Sequence, residues 1–401
     1  MEENLIKAGS FAIIQRQNYT KLQKIKENCT VTLGKDIINV DSVLGHRYEE
    51  TFRMVLKPGT RRVYMLEEVS QLTLTNIKQI EESGTDNRDI IDDGTSQGLS
   101  KTEIEDLRDQ ALSSNDIVQK LVENSKTFSS KTEYSQEKYL KKKEKKYFEY
   151  IQVRKPSIRL VAQMFYRQDP NKTLGLRIDD LSQLLTYANV QSDGNYLLYD
   201  SGTSGLVAAS ILHAVGRDTP GHLVHAHPGN ECQKSALLAM NFPAEQLERC
   251  VNVNLYSVLR CFYQNDAELD TETDGPKRKQ TNDDTSAQPK KRPTWQIENE
   301  SACRVLREKV DGVIIVAKEH PVSITRELVP FLRGGRCVVV FSLTREPLQD
   351  LYFYLKERTD FIAVNVSNSF VRNYQVLPER THPEVIMNFG GYLLSAYKLN
   401  V

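Results

Sequence analysis

No stretch of this 401-residue chain approaches the ~18 consecutive apolar residues that a membrane-spanning helix needs. The first residues contain no apolar h-region of the kind a signal peptide carries. A soluble chain with no membrane partner is expected. Net charge is also missing: 53 Lys+Arg stand against 53 Asp+Glu, so any attraction for nucleic acid must come from local patches. Six cysteines (Cys29, Cys232, Cys250, Cys261, Cys303, Cys337) show neither CxxC nor Cys/His ligand spacing, which removes zinc-site and disulfide-scaffold readings and points to a reducing, intracellular compartment. What is present is ordinary for a globular chain, 39% hydrophobic and 26% charged, and the length suits two to three domains.

Short β-rich runs separated by turn signals fill the first part of the chain: Phe11–Arg16, Cys29–Leu33, Asp36–Asn39 across Gly34-Lys35, Thr51–Val55, and Arg62–Leu66 after Pro58-Gly59. Residues 1–80 therefore read as a small all-β, barrel-like domain. A polar bridge, Gly84–Ser100, follows. Its acidic residues lack the sixth-position Gly and distal Glu of a calcium loop, so it reads as a structured turn region. Ser100 with Glu103 has capping-box spacing, and Ile104, Leu107, Ile117, Leu121 and Val122 carry helical apolar spacing beyond it. Residues 81–177 are read as a helical, Lys-rich linker and RNA-binding segment.

From Ile178 the pattern alternates strand and helix, which argues for an α/β domain over 178–401 with a doubly wound, mostly parallel sheet. Strands are expected at Tyr196–Tyr199, His222–Ala226, Gly312–Ala317, Cys337–Phe341, Phe361–Val366 and Tyr392–Ala396. Helices are expected at Leu181–Tyr187, Leu206–Val215, Ser235–Met240, Thr325–Leu332 and Pro347–Arg358. Gln264–Thr294, rich in Asp, Thr, Lys and Pro, has too little apolar content to fold around and reads as a disordered insertion.

In such folds a nucleotide binds where the first strand turns into the first helix, because Gly residues let backbone N–H groups approach the ligand. Here that turn is Tyr199-Asp200-Ser201-Gly202-Thr203-Ser204-Gly205. Asp200 and Gly202 keep the register of a methyltransferase loop, but Ser204 and Leu206 stand where GxGxG needs glycine. The second strand ends in His225-Ala226-His227 rather than the carboxylate that binds a ribose, and Glu231 lies past Pro228-Gly229. After the fourth strand comes Lys318-Glu319-His320-Pro321, with lysine ahead of the only acidic residue. These three deficits predict no catalytic residue and no cofactor in this chain. Ser204 as a hydrolase nucleophile with His382 as base fails G-x-S-x-G, because Leu206 breaks it.

Lys138-Tyr139-Leu140-Lys141-Lys142-Lys143-Glu144-Lys145-Lys146-Tyr147-Phe148 interleaves six lysines with aromatics, a pattern suited to gripping RNA. At helical spacing 138, 141, 142, 145 and 146 share one face, with Tyr139, Leu140, Lys143 and Tyr147 mostly on others. Arg154 and Lys155 extend the basic run. Lys277-Arg278-Lys279 and Lys290-Lys291-Arg292, ten residues apart, suit a bipartite nuclear import signal, so a nuclear location is expected.

Longer strings carry a family resemblance: Gly84-Thr85-Asp86-Asn87-Arg88 with Asp92-Asp93-Gly94-x-Ser96-Gln97; Glu123-Asn124-Ser125-x-Thr127-Phe128 through Lys131-Thr132-Glu133 to Lys146-Tyr147; Arg372-Asn373-Tyr374-Gln375-Val376-Leu377-Pro378-x-Arg380-x-His382-Pro383; and Gly390-Gly391-Tyr392-Leu393-Leu394-Ser395. On these the chain resembles the Gcd10-type proteins, the non-catalytic subunits of eukaryotic tRNA adenine-58 N1-methyltransferase, over nearly its whole length outside the insertion. The resemblance implies a β-barrel-like domain, a linker and a Rossmann-like, class I methyltransferase-type domain that binds no S-adenosylmethionine. It also implies a paralogous catalytic subunit that holds the cofactor, a heterotetramer of two heterodimers, and tRNA lying across both kinds of subunit. Arg372 and the lysines at 138–146 match basic family segments and are the expected tRNA contacts, with Tyr374 read as core or interface. The alternative function is an active S-adenosylmethionine-dependent RNA methyltransferase with an unusual cofactor loop.

Overall fold

A computed structural model describes residues 4–69, 84, 96–100, 102–104, 107, 114–147, 149–271, 292–377 and 380–400. Packing divides the chain into two compact units, Met1–Pro156 and Ser157–Val401.

The first unit is built on a seven-stranded sheet of β1 (Phe11–Arg16), β2 (Tyr19–Lys24), β3 (Thr30–Leu33), β4 (Asp36–Asn39), β5 (Thr51–Leu56), β6 (Val63–Glu68) and β7 (Tyr150–Arg154), in the order β2-β1-β7-β5-β6-β4-β3. Alternation in β3, β5 and β7 turns Val31, Leu33, Phe52, Met54, Ile151 and Val153 inward with Ile14, Ile38 and Leu66. Side chains bridge towards the two edges: Lys21 of β2 donates to the Thr32 carbonyl of β3 at 3.0 Å, and Arg16 of β1 pairs with Asp36 of β4 at 2.8 Å. The expected strands all form. β2 was not anticipated because it is half-exposed and polar. β7 was not, because its partners β5 and β1 lie about 100 and about 140 residues earlier.

This unit also carries α1 (Ser114–Glu123) and α2 (Glu133–Tyr147), with further helical residues at 102–104 and 107. The Ser100 capping box forms reciprocally: Glu103 N donates to Ser100 Oγ at 3.2 Å, and Ser100 N to Glu103 Oε2 at 2.7 Å. The apolar periodicity closes as expected, with Ile117, Val118 and Leu121 packed against Leu99, Ile104, Leu107 and Leu140. The expected linker is corrected in extent. Within 81–177, β7 belongs to the first sheet and everything from Ser157 to the second unit, including α3 (Ile158–Gln168), which Ser157 caps. Residues 85–95 of the polar bridge lie outside the described residues.

The second unit continues with α4 (Ile178–Tyr187), β8 (Tyr196–Asp200), α5 (Leu206–Val215), β9 (Leu223–His227), α6 (Ser235–Ala239), α7 (Ala244–Glu248), β10 (Cys250–Asn254), α8 (Leu255–Thr271), α9 (Thr294–Arg307), β11 (Val310–Val316), α10 (Pro321–Leu328), β12 (Leu332–Ser342), α11 (Glu346–Glu357), β13 (Phe361–Leu377) and β14 (Arg380–Lys398). Strand order is β10-β9-β8-β11-β12-β14-β13. β8 to β12 run parallel, and β14 runs antiparallel to both its neighbours. β8, β9 and β11 are buried along their whole length, as strands covered on both faces must be. The α/β, doubly wound class holds.

Three departures concern elements with weak apolar signals. β10 was missed because Asn alternates with its apolar residues. The insertion expected from Gln264 to Thr294 is entered by α8 as far as Thr271, and α9 begins at Thr294; 272–291 lie outside the described residues. β13 and β14 run far past Phe361–Val366 and Tyr392–Ala396, as a long hairpin exposed over Val371–Val376. Among the described residues, no helix is long and apolar enough to cross a membrane.

Candidate functional site

The turn from β8 into α5 sits at the carboxyl end of the sheet, beside the β8/β11 switch point where ligands of doubly wound folds bind. Asp200 is 5% exposed and folds back on its own loop: Oδ1 accepts from Gly202 N at 2.9 Å and Thr203 N at 2.8 Å, and Oδ2 from Thr203 Oγ1. The next donor, Ser204 N, goes to Gln233 Oε1 at 3.1 Å. Three consecutive backbone N–H groups are thus spent inside the protein. Ser204 holds the left-handed conformation (φ 57°) natural to glycine, which costs a β-carbon-bearing residue about 1–2 kcal/mol. Its Oγ donates to the Lys172 carbonyl at 2.9 Å, not to a histidine, and His382 pairs across the hairpin with Gln375.

The face of the loop is also covered. A β-carbon on Gly202 would lie 3.3 Å from Lys318 Cε and 3.4 Å from Leu174 Cδ2, while one on Gly205 (φ 76°) would meet the Gln233 carbonyl oxygen at 2.6 Å. Lys318 N donates to Ser201 Oγ at 2.7 Å, tying the end of β11 to the loop.

His225 stands where a ribose-binding carboxylate was sought. It is fully buried, its Nε2 3.7 Å from Asp200 Oδ2 and its Nδ1 3.1 Å from Asn252 Oδ1, with Cys232 Sγ at 3.3 Å. Burial pushes the Asp200 carboxyl up, but the His225 hydrogen bond and charge with the Thr203 and Gly202 donors outweigh it and hold it below the usual range. Burial pulls the His225 imidazole down, and its bonds to Asp200, Cys232 and Cys250 outweigh that and raise it. The sequence alone did not find this pair; it forms only because β8 and β9 are neighbours. His227, two residues on, is lowered by burial and then by the His225 charge, and its buried Nδ1 has no hydrogen-bond partner.

Beyond β11, Lys318, Glu319 and His320 are exposed and line an open pocket of ≈ 230 Å³ with Phe341 and Ser342. Glu319 faces the Tyr199 phenol, which burial and that carboxylate push up to about 12. His320 Nε2 lies 3.2 Å from Asp350 Oδ2. Among the described residues one trio, His46, Glu50 and Glu68 in the first unit, gathers metal-type ligand atoms within 4.8 Å of one another; His46 Nδ1 already bonds Glu50 at 3.0 Å.

α2 carries the lysine stripe. Its docked side is Gln136, whose Nε2 donates to the Phe128 carbonyl at 2.8 Å, with Leu140 and Tyr139, which meets Phe128 edge-on. Lys138 and Lys142 project into solvent. Lys143 is half-buried, its Nζ 5.1 Å from the Tyr139 ring centroid. Lys141, Lys145 and Lys146 lie on the same helix, their side chains outside the described residues. Arg154, on β7, is committed to Glu49 at 3.0 Å and Gln15 at 3.1 Å. Lys155 is exposed beside it, and Arg372 is exposed on β13. Tyr374 is 53% exposed, so the core reading of that ring is corrected.

Comparison with known proteins follows the same lines. The model of the Gcd10p family matches residues 5–292. The chain is 29% identical to "tRNA (adenine(58)-N(1))-methyltransferase non-catalytic subunit TRM6" of Mus musculus, over 98% of this chain and 88% of that protein. It is 28% identical to the protein of the same description from Dictyostelium discoideum, over 99% of this chain and 80% of that one. Among solved structures it resembles a SAM-dependent O-methyltransferase from Thermotoga maritima with a TM-score of 0.52 and 13% identity, over 100% of this chain and 97% of the other, a likeness of fold.

Proposed function

The chain belongs to the Gcd10p family, and from that premise we propose that it is the non-catalytic, tRNA-binding and assembly subunit of the complex that methylates N1 of adenine 58 in the T-loop of tRNA. The observation that carries this reading is the β8–α5 loop. Its three consecutive donors are taken by Asp200 and Gln233, and Lys318 lies across its glycine, so the loop braces the fold instead of cradling a nucleotide. The names of the mouse and Dictyostelium relatives support it.

In this reading the partner is a paralogous catalytic subunit that binds S-adenosylmethionine, and two heterodimers join as a heterotetramer. The hairpin of β13 and β14 suits the assembly role, because it presents Phe370, Val371, Tyr374 and Val376 to solvent at 63%, 38%, 53% and 74% exposure. Its base is fixed by Ser369, whose hydroxyl accepts from Arg177 Nη2 at 3.3 Å and lies within hydrogen-bond reach of both Asp179 Oδ2, at 2.8 Å, and Asp180 Oδ1, with its one proton shared between the two carboxyls. RNA contact falls to Lys138 and Lys142, with Lys141, Lys145 and Lys146 of the same helix, Lys155, and Arg372. Lys143 and Arg154 serve first to hold the first unit together. The basic clusters at 277–279 and 290–292 would direct the chain to the nucleus.

The test is reconstitution with the catalytic subunit. The isolated chain should bind no S-adenosylmethionine calorimetrically, and N1-methyladenine should form in tRNA only when both subunits are present. Tight cofactor binding by the isolated chain, or methylation without the partner, would establish the alternative of an active methyltransferase.

A further inference from the structure

A second concavity lies one strand over from the degenerate loop, at the carboxyl ends of β9 and β10, where Asn252 on its wall bonds the His225 that faces Asp200. It is an open groove of ≈ 490 Å³, within the ~300–1,000 Å³ that holds small organic ligands. His227 ends β9 and lines its floor, 7% exposed, with a buried Nδ1 that has no partner. Asn299, 4% exposed, adds a buried amide from α9. Two aromatic rings stand at the groove and are mostly in solvent: Tyr256 in the first turn of α8, at 73%, and Trp295 in the first turn of α9, at 62%. Asn230 and Glu298 supply a further amide and a carboxylate.

The His227 ring also meets the Gly229 backbone, and a groove ligand that reached its Nδ1 would relieve about 1–3 kcal/mol of unpaired burial. Burial and the neighbouring His225 keep His227 on the neutral side, so its ring offers one donor and one acceptor. The chemistry is selective. Among the described lining residues there is no Lys or Arg, which disfavours a phosphate. Flat exposed rings stack heteroaromatic groups, asparagine amides match the paired donor and acceptor on a base edge, and a carboxylate accepts from an exocyclic amine or a ribose hydroxyl.

We propose that this groove binds a single unstacked nucleobase of RNA, held between the Tyr256 and Trp295 rings and read by Asn299, His227 and Glu298. This rests on the reading of the chain as a tRNA-binding subunit and adds to it a site for one splayed base, separate from the lysine stripe.

Trp295 is the single tryptophan of the chain, so its fluorescence reports on the groove directly. The full-length chain is titrated with an unstructured oligoribonucleotide, with the four free nucleosides, and with S-adenosylmethionine. Saturable quenching by the oligonucleotide and by at least one nucleoside is expected, with the midpoint raised about tenfold by Tyr256→Ala or Asn299→Ala and melting of the Tyr256→Ala protein unchanged. Absence of saturable quenching by RNA or nucleosides overturns the proposal. So does quenching that both variants leave intact, or quenching by S-adenosylmethionine alone, which would mark a residual cofactor site. Retention of tRNA by the reconstituted complex is measured in parallel: a complex that binds and methylates tRNA while the groove stays silent refutes the groove alone, and a complex that does not retain tRNA refutes the functional reading.

Discussion

Replacing Asp200 by alanine separates a bracing role for the β8–α5 loop from a chemical one. In the native chain one carboxylate satisfies Gly202 N, Thr203 N and Thr203 Oγ1 and faces the buried His225 at 3.7 Å. Each buried donor left unpaired costs about 1–3 kcal/mol, and removing one member of a buried ion pair costs about 3–5 kcal/mol. These overlap, because the same site relaxes once, so the expected loss is about 3–5 kcal/mol in all. At about 2–4 °C per kcal/mol for a unit of this size, the melting temperature should fall by roughly 6–20 °C.

Asp200→Asn is the sharper probe, since its side-chain oxygen can still accept from Gly202 and Thr203 while the charge is gone. What it loses is the pairing with His225. The imidazole is raised above its ordinary 6.5 in the folded state, so its contribution is fully present below about 6.5 and is lost as pH rises through the raised value. The carboxyl is depressed below 3.8, so its contribution is present above about 3.8 and disappears as pH falls through the depressed value. The melting gap between native chain and Asp200→Asn should therefore be widest between those limits and shrink on the alkaline side. Scanning fluorimetry over a pH series, with methylation by the reconstituted complex below the melting point, reads both quantities. A melting temperature within about 1 °C of native for Asp200→Ala would refute the bracing argument. Loss of methylation by a folded Asp200→Asn complex would put the loop in the chemistry.

Gly205→Ala must adopt φ 76° and meets the Gln233 carbonyl oxygen at 2.6 Å; a loss of about 1–3 kcal/mol is expected in denaturant unfolding, and a neutral result would mean the turn can be rebuilt. Lys138→Ala with Lys142→Ala should lower tRNA affinity of the complex and flatten the plot of log K against log salt by about two units. Lys143→Ala should leave that slope unchanged and lower thermal stability by about 0.5–1 kcal/mol through the lost contact with Tyr139; equal slopes for all three would remove α2 from the RNA surface. Phe370→Asp with Val376→Asp should abolish co-purification with the catalytic subunit while leaving the melting of the isolated chain within about 0.5 kcal/mol, because both side chains are in solvent there.

The sequence by itself determined those parts whose signal is local. Strand alternation, Gly34-Lys35 between β3 and β4, the Ser100–Glu103 capping box and the apolar run of α5 each depend on residues within a few positions, and the structure has them where the pattern put them. The defects of the loop, Ser204 and Leu206 in place of glycine, are equally legible, because the backbone geometry of that turn constrains residue type directly. Tertiary structure decided what depends on distant partners. β7 becomes a strand because β5 and β1 offer free edges about 100 and about 140 residues back. The outer hairpin is exposed and carries no burial pattern, so its length is set by strand pairing alone. The role of Asp200 is of the same kind. Its sequence position marks it as the acidic residue of a cofactor loop, and only the adjacency of β8 and β9, which sets His225 against it, together with the closure of Gly202 and Thr203 onto its carboxylate, makes it a structural brace.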